Sequence, residues 1–355
     1  MVTKRLFTML SFIAVLAGGC ASTSPVRESL SVWPAPPETP RIAFVGMYRG
    51  EADFRNKSFF DSIFGAPALP GMVKPYGVFS RGSVIYVADS GKARVFVIDV
   101  AARKVTYVGE EGRGKLQVPL DVAVSSDGTI YVSDSKLQKV LAYDASGTVR
   151  FSIGKGDELK NPSGIAINDD LRRIYIVDST NHLVRVYTLE GTPLFQFGVR
   201  GEGDGELNFP TNVAIDRRNG NVCIVDTANF RVQIFSTEGK FLRKFGVIGD
   251  MPGTFSRPKG IGIDSEGHIY VSDAAFSNFQ VFDDNGQLLL FIGQLGRKGP
   301  GEFILPAGVH VDEDDRIVIA DQLNGRVQVF QYLSEKWKKT HPEEYKKYLP
   351  AAMGL

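Results

Sequence analysis

The chain has 355 residues, 43% of them hydrophobic and 11% aromatic, enough to fill a substantial core. Its 41 Lys and Arg nearly cancel its 40 Asp and Glu. That balance excludes the bulk positive field which draws nucleic acid, so no nucleic-acid partner is expected and recognition must be local.

At the N-terminus, Lys4 and Arg5 precede the apolar run LFTMLSFIAVL, and small residues end at Cys20. The run is too short to span a bilayer, and residues 1–19 have the order of an export signal. The residues LAGGC resemble the lipobox of bacterial lipoproteins, which implies that Cys20 is lipidated and becomes the mature N-terminus. Leu16 stands one place earlier than in the commonest pattern, with Ala17 in its slot. The alternative is an ordinary cleavable signal with a chance cysteine. Ala21 and Ser22 resemble outer-membrane sorting in a two-membrane bacterium, giving a periplasmic or surface-facing protein held to the membrane by its lipid. Once Cys20 is acylated, Cys223 has no disulfide partner and packing must hold the fold. Residues 20–40 are rich in Ser and Pro and read as a tether.

The segment PRIAFVGMY, Pro40 to Tyr48, then reads as a lone strand. An insertion over 49–72 follows, in which KSFFDSIFG places Phe59, Phe60, Ile63 and Phe64 at helical spacing. Beyond it the chain repeats itself. VADSGKARVFVI, VSDSKLQKVLAY, VDSTNHLVRVY, VDTANFRVQIF, VSDAAFSNFQVF and ADQLNGRVQVF are anchored on Asp89, Asp134, Asp178, Asp226, Asp273 and Asp321. A proline stands about fifteen residues before each: Pro75, Pro119, Pro162, Pro210, Pro258 and Pro306. Within a unit, short alternating strands are separated by turn sequences such as SEG and DNG. Four antiparallel strands per repeat make a propeller blade, which can bury both faces only against neighbours.

The residues PTNVAID, DTANFRVQIF and GVRGEGDGELNFP resemble the NHL repeat, over residues 75 to 330 or so. The resemblance implies an all-β, six-bladed β-propeller, spanning 41–333 here and monomeric as a ring. Departures exist: Asn181, Asn229 and Asn324 become Lys92, Leu137 and Phe276 in the other units, and the slot of Arg231 holds Leu183 and Asn278 in two. The sixth repeat lacks a fourth strand before the charged, aromatic tail of 334–355, which reads as helical. The lone strand at Pro40 to Tyr48 is therefore expected to pair with the third strand of blade six and close the ring. Capping helices are the simpler reading of the tail and of KSFFDSIFG; docking a partner is the other.

A cluster such as Asp226, Asn229 and Arg231 looks like a site in isolation, but six copies make it architecture. Function is sought where the copies disagree. Two residues after the proline, Gly77, Gly164, Gly260 and Gly308 give way to Asp121 in blade two and Asn212 in blade four. The middle of the inner strand is small in four blades but is Phe79 in blade one and His310 in blade six, neighbours in a closed ring. These four residues are a candidate ligand site at the channel mouth. Turn capping by Asp121 and Asn212, and seam filling by Phe79 and His310, are the structural alternatives.

No cofactor is expected. Ca²⁺ wants six to eight oxygens where Asp121 and Asn212 supply two, and a catalytic Zn²⁺ wants about three converging ligands. The resemblance offers a zinc precedent in the peptide-amidating lyase propeller, but His182, His268 and His341 do not occupy equivalent channel positions. No G-x-S-x-G elbow, H-E-x-x-H helix or paired-Cys motif is present. Cys223 stands where other blades have Tyr86, Tyr131, Tyr175 and Tyr270, a buried strand position. The expectation is a lipid-anchored envelope propeller that binds a protein or ligand, through channel mouth or Gly-rich interblade loops. A metal-dependent lyase or hydrolase at the channel mouth is the alternative.

Overall fold

The structure, a computed structural model, describes residues 31–56, 69–154 and 158–349. Cys20, the signal segment and the KSFFDSIFG stretch lie outside them.

Six antiparallel sheets stand in a ring. Blade four is representative. Asn212–Ile215 lines the channel, Val222–Asp226 and Arg231–Phe235 follow outward, and Phe241–Phe245 forms the outer edge. Each inner strand packs on the next around the circle, the last (Pro306–Val311) meeting the first (Pro75–Arg81). The alternating apolar residues of each sheet bury against both neighbours, so the core divides into six clusters, one at each seam between blades.

The ring closes through its N-terminal strand, as expected. Ile42–Tyr48 runs antiparallel to Arg326–Tyr332, pairing Ile42 with Tyr332 and Tyr48 with Val327 around a bulge after Phe44. The Phe44 and Phe330 rings meet edge to face at 5.7 Å, and Ile42 is 1% exposed. Closure also begins earlier than the composition implies. Val32–Trp33 adds a fifth strand to this sheet, pairing with Ala43 and Ile42, and the Trp33 ring packs on Phe330 at 5.6 Å. The expected tether over 20–40 therefore already belongs to the sheet by Val32. A Ser/Pro-rich composition hid a two-residue strand whose anchor is one aromatic ring.

In the tail, helices Glu335–Thr340 and Pro342–Tyr348 follow the last strand. Ser334 caps the first by accepting from Trp337 N–H, and Trp337 is buried against Ala43 and Leu333. The tail thus braces the closing strand.

Candidate functional site

Strand direction sorts the side chains by height in the ring. Every inner strand starts where the interblade loops arrive, beside the turn that follows its second strand: Pro306 pairs with Asp321, the prolines of blades one, two, three and five do likewise, and in blade four Asn212 pairs with Val225. That end of the ring is the loop end.

The six repeated aspartates sit there, fully buried, and their work is to hold loops. Asp226 accepts from Asn208 N–H at 2.6 Å, Asn229 Nδ2 at 2.8 Å, Arg231 Nε at 2.8 Å and Gln233 Nε2 at 3.0 Å. The rest of the Arg231 fork donates to the carbonyls of Glu202, Gly203 and Glu206 in the preceding Gly-rich loop. Asp321, Asn324, Arg326 and Gln328 repeat the arrangement on the loop before blade six. Where Asn is lost, the backbone replaces it. Gly91 and Lys92, Lys136 and Leu137, and Ala275 and Phe276 turn their N–H groups onto Asp89, Asp134 and Asp273. Asp178 keeps its Asn181 amide and the N–H groups of Lys160 and Asn161. The carboxylate is constant because the incoming loop always brings backbone N–H: two groups to Asp89, Asp134, Asp178 and Asp273, and one to Asp226 and Asp321, where the Arg and Gln side chains complete the shell.

The four exceptional channel residues come together in two pairs lining one cavity of about 310 Å³. Near its loop end, Asn212 Nδ2 donates to Asp121 Oδ2 at 3.3 Å across blade three, where Gly164 leaves the space. Neither residue caps a turn. The inner strand of blade two, like those of blades one, three, five and six, bulges after its proline, and Asp121 accepts from the N–H of its own Val122 and from Ile165 of blade three, both at 2.9 Å. Asn212 Oδ1 accepts from Val213 N–H. Burial pushes the Asp121 carboxyl up to about 7, against the lowering effect of those hydrogen bonds.

Deeper in the channel, Phe79 and His310 touch with ring centroids 4.3 Å apart. They fill the closing seam and also line the cavity, so the two readings of this pair are one arrangement. His310 Nδ1 accepts from Ser80 N–H at 3.1 Å, which fixes the neutral ring with its proton on Nε2. Among the described residues nothing pairs with that Nε2–H. Burial, with Arg217, Arg81 and Arg316 nearby, lowers the imidazole to about 3. Ser80, Arg81 and Arg217 were not singled out by the repeat comparison. Arg217 bridges the far end of the channel, donating to the carbonyls of Val311 and Asp312 at 3.0 and 2.9 Å. Its slot lies in a turn, outside the strands whose alignment exposed the other exceptions.

Other candidates are accounted for structurally. Cys223 is buried, its thiol pushed up to about 12 by burial. His268 Nδ1 lies 2.8 Å from Asp264, His182 accepts from Phe209 N–H, and His341 stacks on Trp337, so the histidines do not converge.

Fold and channel together define a six-bladed β-propeller. Residues 47–253 match the SMP-30/Gluconolactonase/LRE-like region, and the chain belongs to that family. Residues 264–342 match a family described as a 6-bladed beta-propeller. Among solved structures it is similar to a Bacteroides thetaiotaomicron protein of unknown function, with 19% identity over 74% of this chain and 70% of that one and a TM-score of 0.61. A gluconolactonase from Xanthomonas campestris is 16% identical over 73% of this chain and 86% of its own, with a TM-score of 0.58. Streptogramin B lyase is 12% identical over 75% of this chain and 95% of its own, at 0.56. At these identities the likeness is one of fold. No curated protein matches the chain.

The family often uses a metal, and a metal requires several converging donors. Among the described residues no three His, Cys, Asp or Glu side chains converge. Asp121 already accepts on both oxygens, and the Asn212 oxygen and His310 Nδ1 each face an N–H donor. These donors do not fit a resident metal ion.

Proposed function

We propose that the protein is an exported, lipid-anchored propeller of NHL-type repeats that docks a protein partner of the bacterial envelope on its loop end. Cys20 would carry the anchor, and residues 21–31 would give the ring reach from the membrane, the outer one by the Ala21–Ser22 reading.

One observation carries the reading. The interblade loops expose Val199, Val247, Ile248, Met251 and Leu295, each between 61% and 73% accessible, while buried side chains behind them hold the backbone fixed. Arg231 and Gln233 grip the loop of Val199, Gln280 bonds Gly253 and Thr254 beside Met251, and Arg326 and Gln328 grip the loop of Leu295. Apolar side chains on loops that need no ordering are what a docking surface requires, because little conformational entropy is lost on contact. The repeated Asp cluster serves function indirectly, as the clamp behind the surface.

The test is site-specific photo-crosslinking in intact cells from positions 248 and 295, with position 171 at the opposite end as control. A discrete protein adduct from the loop end alone, abolished by Ile248→Asp with Leu295→Asp at unchanged melting temperature, is expected. Equal adducts from both ends, or none, would sink the docking reading. Retention of the Cys20→Ala variant in the membrane fraction would sink the anchor.

A second reading, a lyase or hydrolase working in the channel, is favoured by the family and by His310, which lines the cavity and whose Nε2–H has no partner among the described residues. Lactone turnover that disappears in His310→Gln would establish it.

A further inference from the structure

A second cavity, of about 180 Å³, opens at the loop end between blades five, six and one. Lys74 and Tyr76 flank Pro75 on one side of it, and Arg257 and Lys259 flank Pro258 on the other. Gln322, first residue of the turn after the second strand of blade six, supplies part of the wall, and Leu305, Pro306 and Ala307 lie between. Among the described residues no carboxylate lines it.

Two independent features mark this cavity as built for a ligand. The first is uncompensated charge. Among the described residues, Lys74, Arg257 and Lys259 have no side-chain hydrogen bond and no ion pair. Asp89 and Asp273, which belong to the same repeats, spend their oxygens on backbone N–H groups, including those of Lys74 and Arg257. Like charges are being held together: Lys259 is half-buried, and burial together with Arg257 lowers its ammonium pKa. The second is Gln322. The residue is only 8% exposed, and among the described residues its amide has no hydrogen-bond partner, so the amide is left free to bond a group in the cavity it lines. It lines the cavity, as does Tyr76, whose hydroxyl is also without a partner among the described residues.

The backbone carrying these donors is fixed from behind. Thr211 Oγ1 donates to Lys259 O at 2.9 Å, Thr227 Oγ1 to Pro258 O at 3.0 Å, and Ala274 N–H to Arg257 O at 3.0 Å. The donors thus need little ordering when a ligand arrives.

We infer that this cavity binds a phosphate group. Three cations and two neutral groups surround a space suited to a dianion with several acceptor oxygens, whereas a carboxylate offers one charge and two oxygens. The phosphate could be free, carried on a small molecule, or presented by a lipid headgroup. The site is independent of the docking proposal, since it involves none of the exposed apolar residues.

Isothermal titration calorimetry of the purified protein, at low ionic strength and in separate arms, tests it. The probes are inorganic phosphate, glycerol 3-phosphate, acetate, and vesicles with or without phosphatidylglycerol. Saturable binding of a phosphate-bearing probe but not acetate is expected. Lys259→Met and Gln322→Leu should each weaken it by about tenfold or more, while Lys259→Arg should retain most of it. Melting curves of every variant separate loss of binding from loss of fold. Binding in the vesicle arm alone, with the same sensitivity, assigns a headgroup; binding in the soluble arms assigns a free ligand. Equal binding of acetate, no binding in any arm, or binding unchanged in folded Lys259→Met and Gln322→Leu would overturn the site.

Discussion

Arg326 and Asp321 lie 2.7 Å apart, Nε to Oδ2, and both side chains are closed off from solvent. Such a pair is held for geometry, since desolvation consumes much of its Coulomb energy. Here the geometry is that of a loop, because the same guanidinium reaches the carbonyl of Glu302 at 2.6 Å.

Removing one partner strands the other. Arg326→Met should destabilise the domain by about 3–5 kcal/mol, leaving Asp321 and a loop carbonyl unmatched. Arg231→Met should act in the same direction, since Arg231 is also buried and bonds Asp226 and three carbonyls. Urea unfolding measures both. A loss below about 1 kcal/mol at Arg326 would mean the pair does not hold the loop.

The closing strand makes a second prediction. Deleting residues 41–46 removes most of the partner of Arg326–Tyr332 and exposes Phe330 and its aromatic neighbours. Calorimetry should show the whole ring melting earlier in one transition, because an opened propeller loses a seam that two blades share. Ile42→Ala, a milder change at a buried site, should cost about 2–5 kcal/mol. An unchanged melting temperature for the deletion would refute closure.

The blade count, the closing strand and the architectural role of Asp226 were legible because repetition is visible in one sequence. Each copy serves as a control for the others. The channel exceptions were legible for the same reason, but their bonds were not. That Asp121 serves Ile165 and meets Asn212 depends on how closely inner strands of non-adjacent blades converge, which no local pattern records. Lys74, Tyr76, Arg257 and Lys259 were missed although their slots, on either side of the repeat proline, also vary between blades. Charged residues at a strand entrance look like ordinary solvated surface until the ring sets blades five and one on either side of blade six. Gln322 was invisible for a different reason: that its amide is left without a protein partner at a cavity wall is a property of packing alone.

Cys223 provides a check on the second-strand assignment. Burial raises its thiol to about 12, so the thiolate that reacts is scarce at neutral pH. In a Cys20→Ser background, a thiol reagent should label the native protein at the rate of global unfolding and the denatured protein at once. Fast labelling of the native state would place Cys223 at the surface and contradict the register that pairs it with Ala214 and Ile234.

Asp121 and His310 titrate against each other. The Asp121 carboxyl is raised in the folded protein from 3.8 to about 7, so between these values the native state keeps a proton the unfolded chain has released. Its contribution to stability is therefore greatest at low pH and declines as pH rises through that window. His310 is lowered from 6.5 to about 3, so between these values the unfolded chain binds a proton the native state refuses, and stability rises with pH there. From about pH 4 to 6.5 the two effects nearly cancel. Removing one should expose the other, by roughly 1 kcal/mol per pH unit relative to wild type. His310→Gln, which keeps an acceptor for Ser80 N–H, should gain on wild type as pH falls from 6.5 to 4. Asp121→Asn should gain as pH rises over the same range. Denaturant unfolding at half-unit pH steps measures both differences. Parallel profiles for wild type and both variants would show that neither group is held in the protonation state its surroundings dictate.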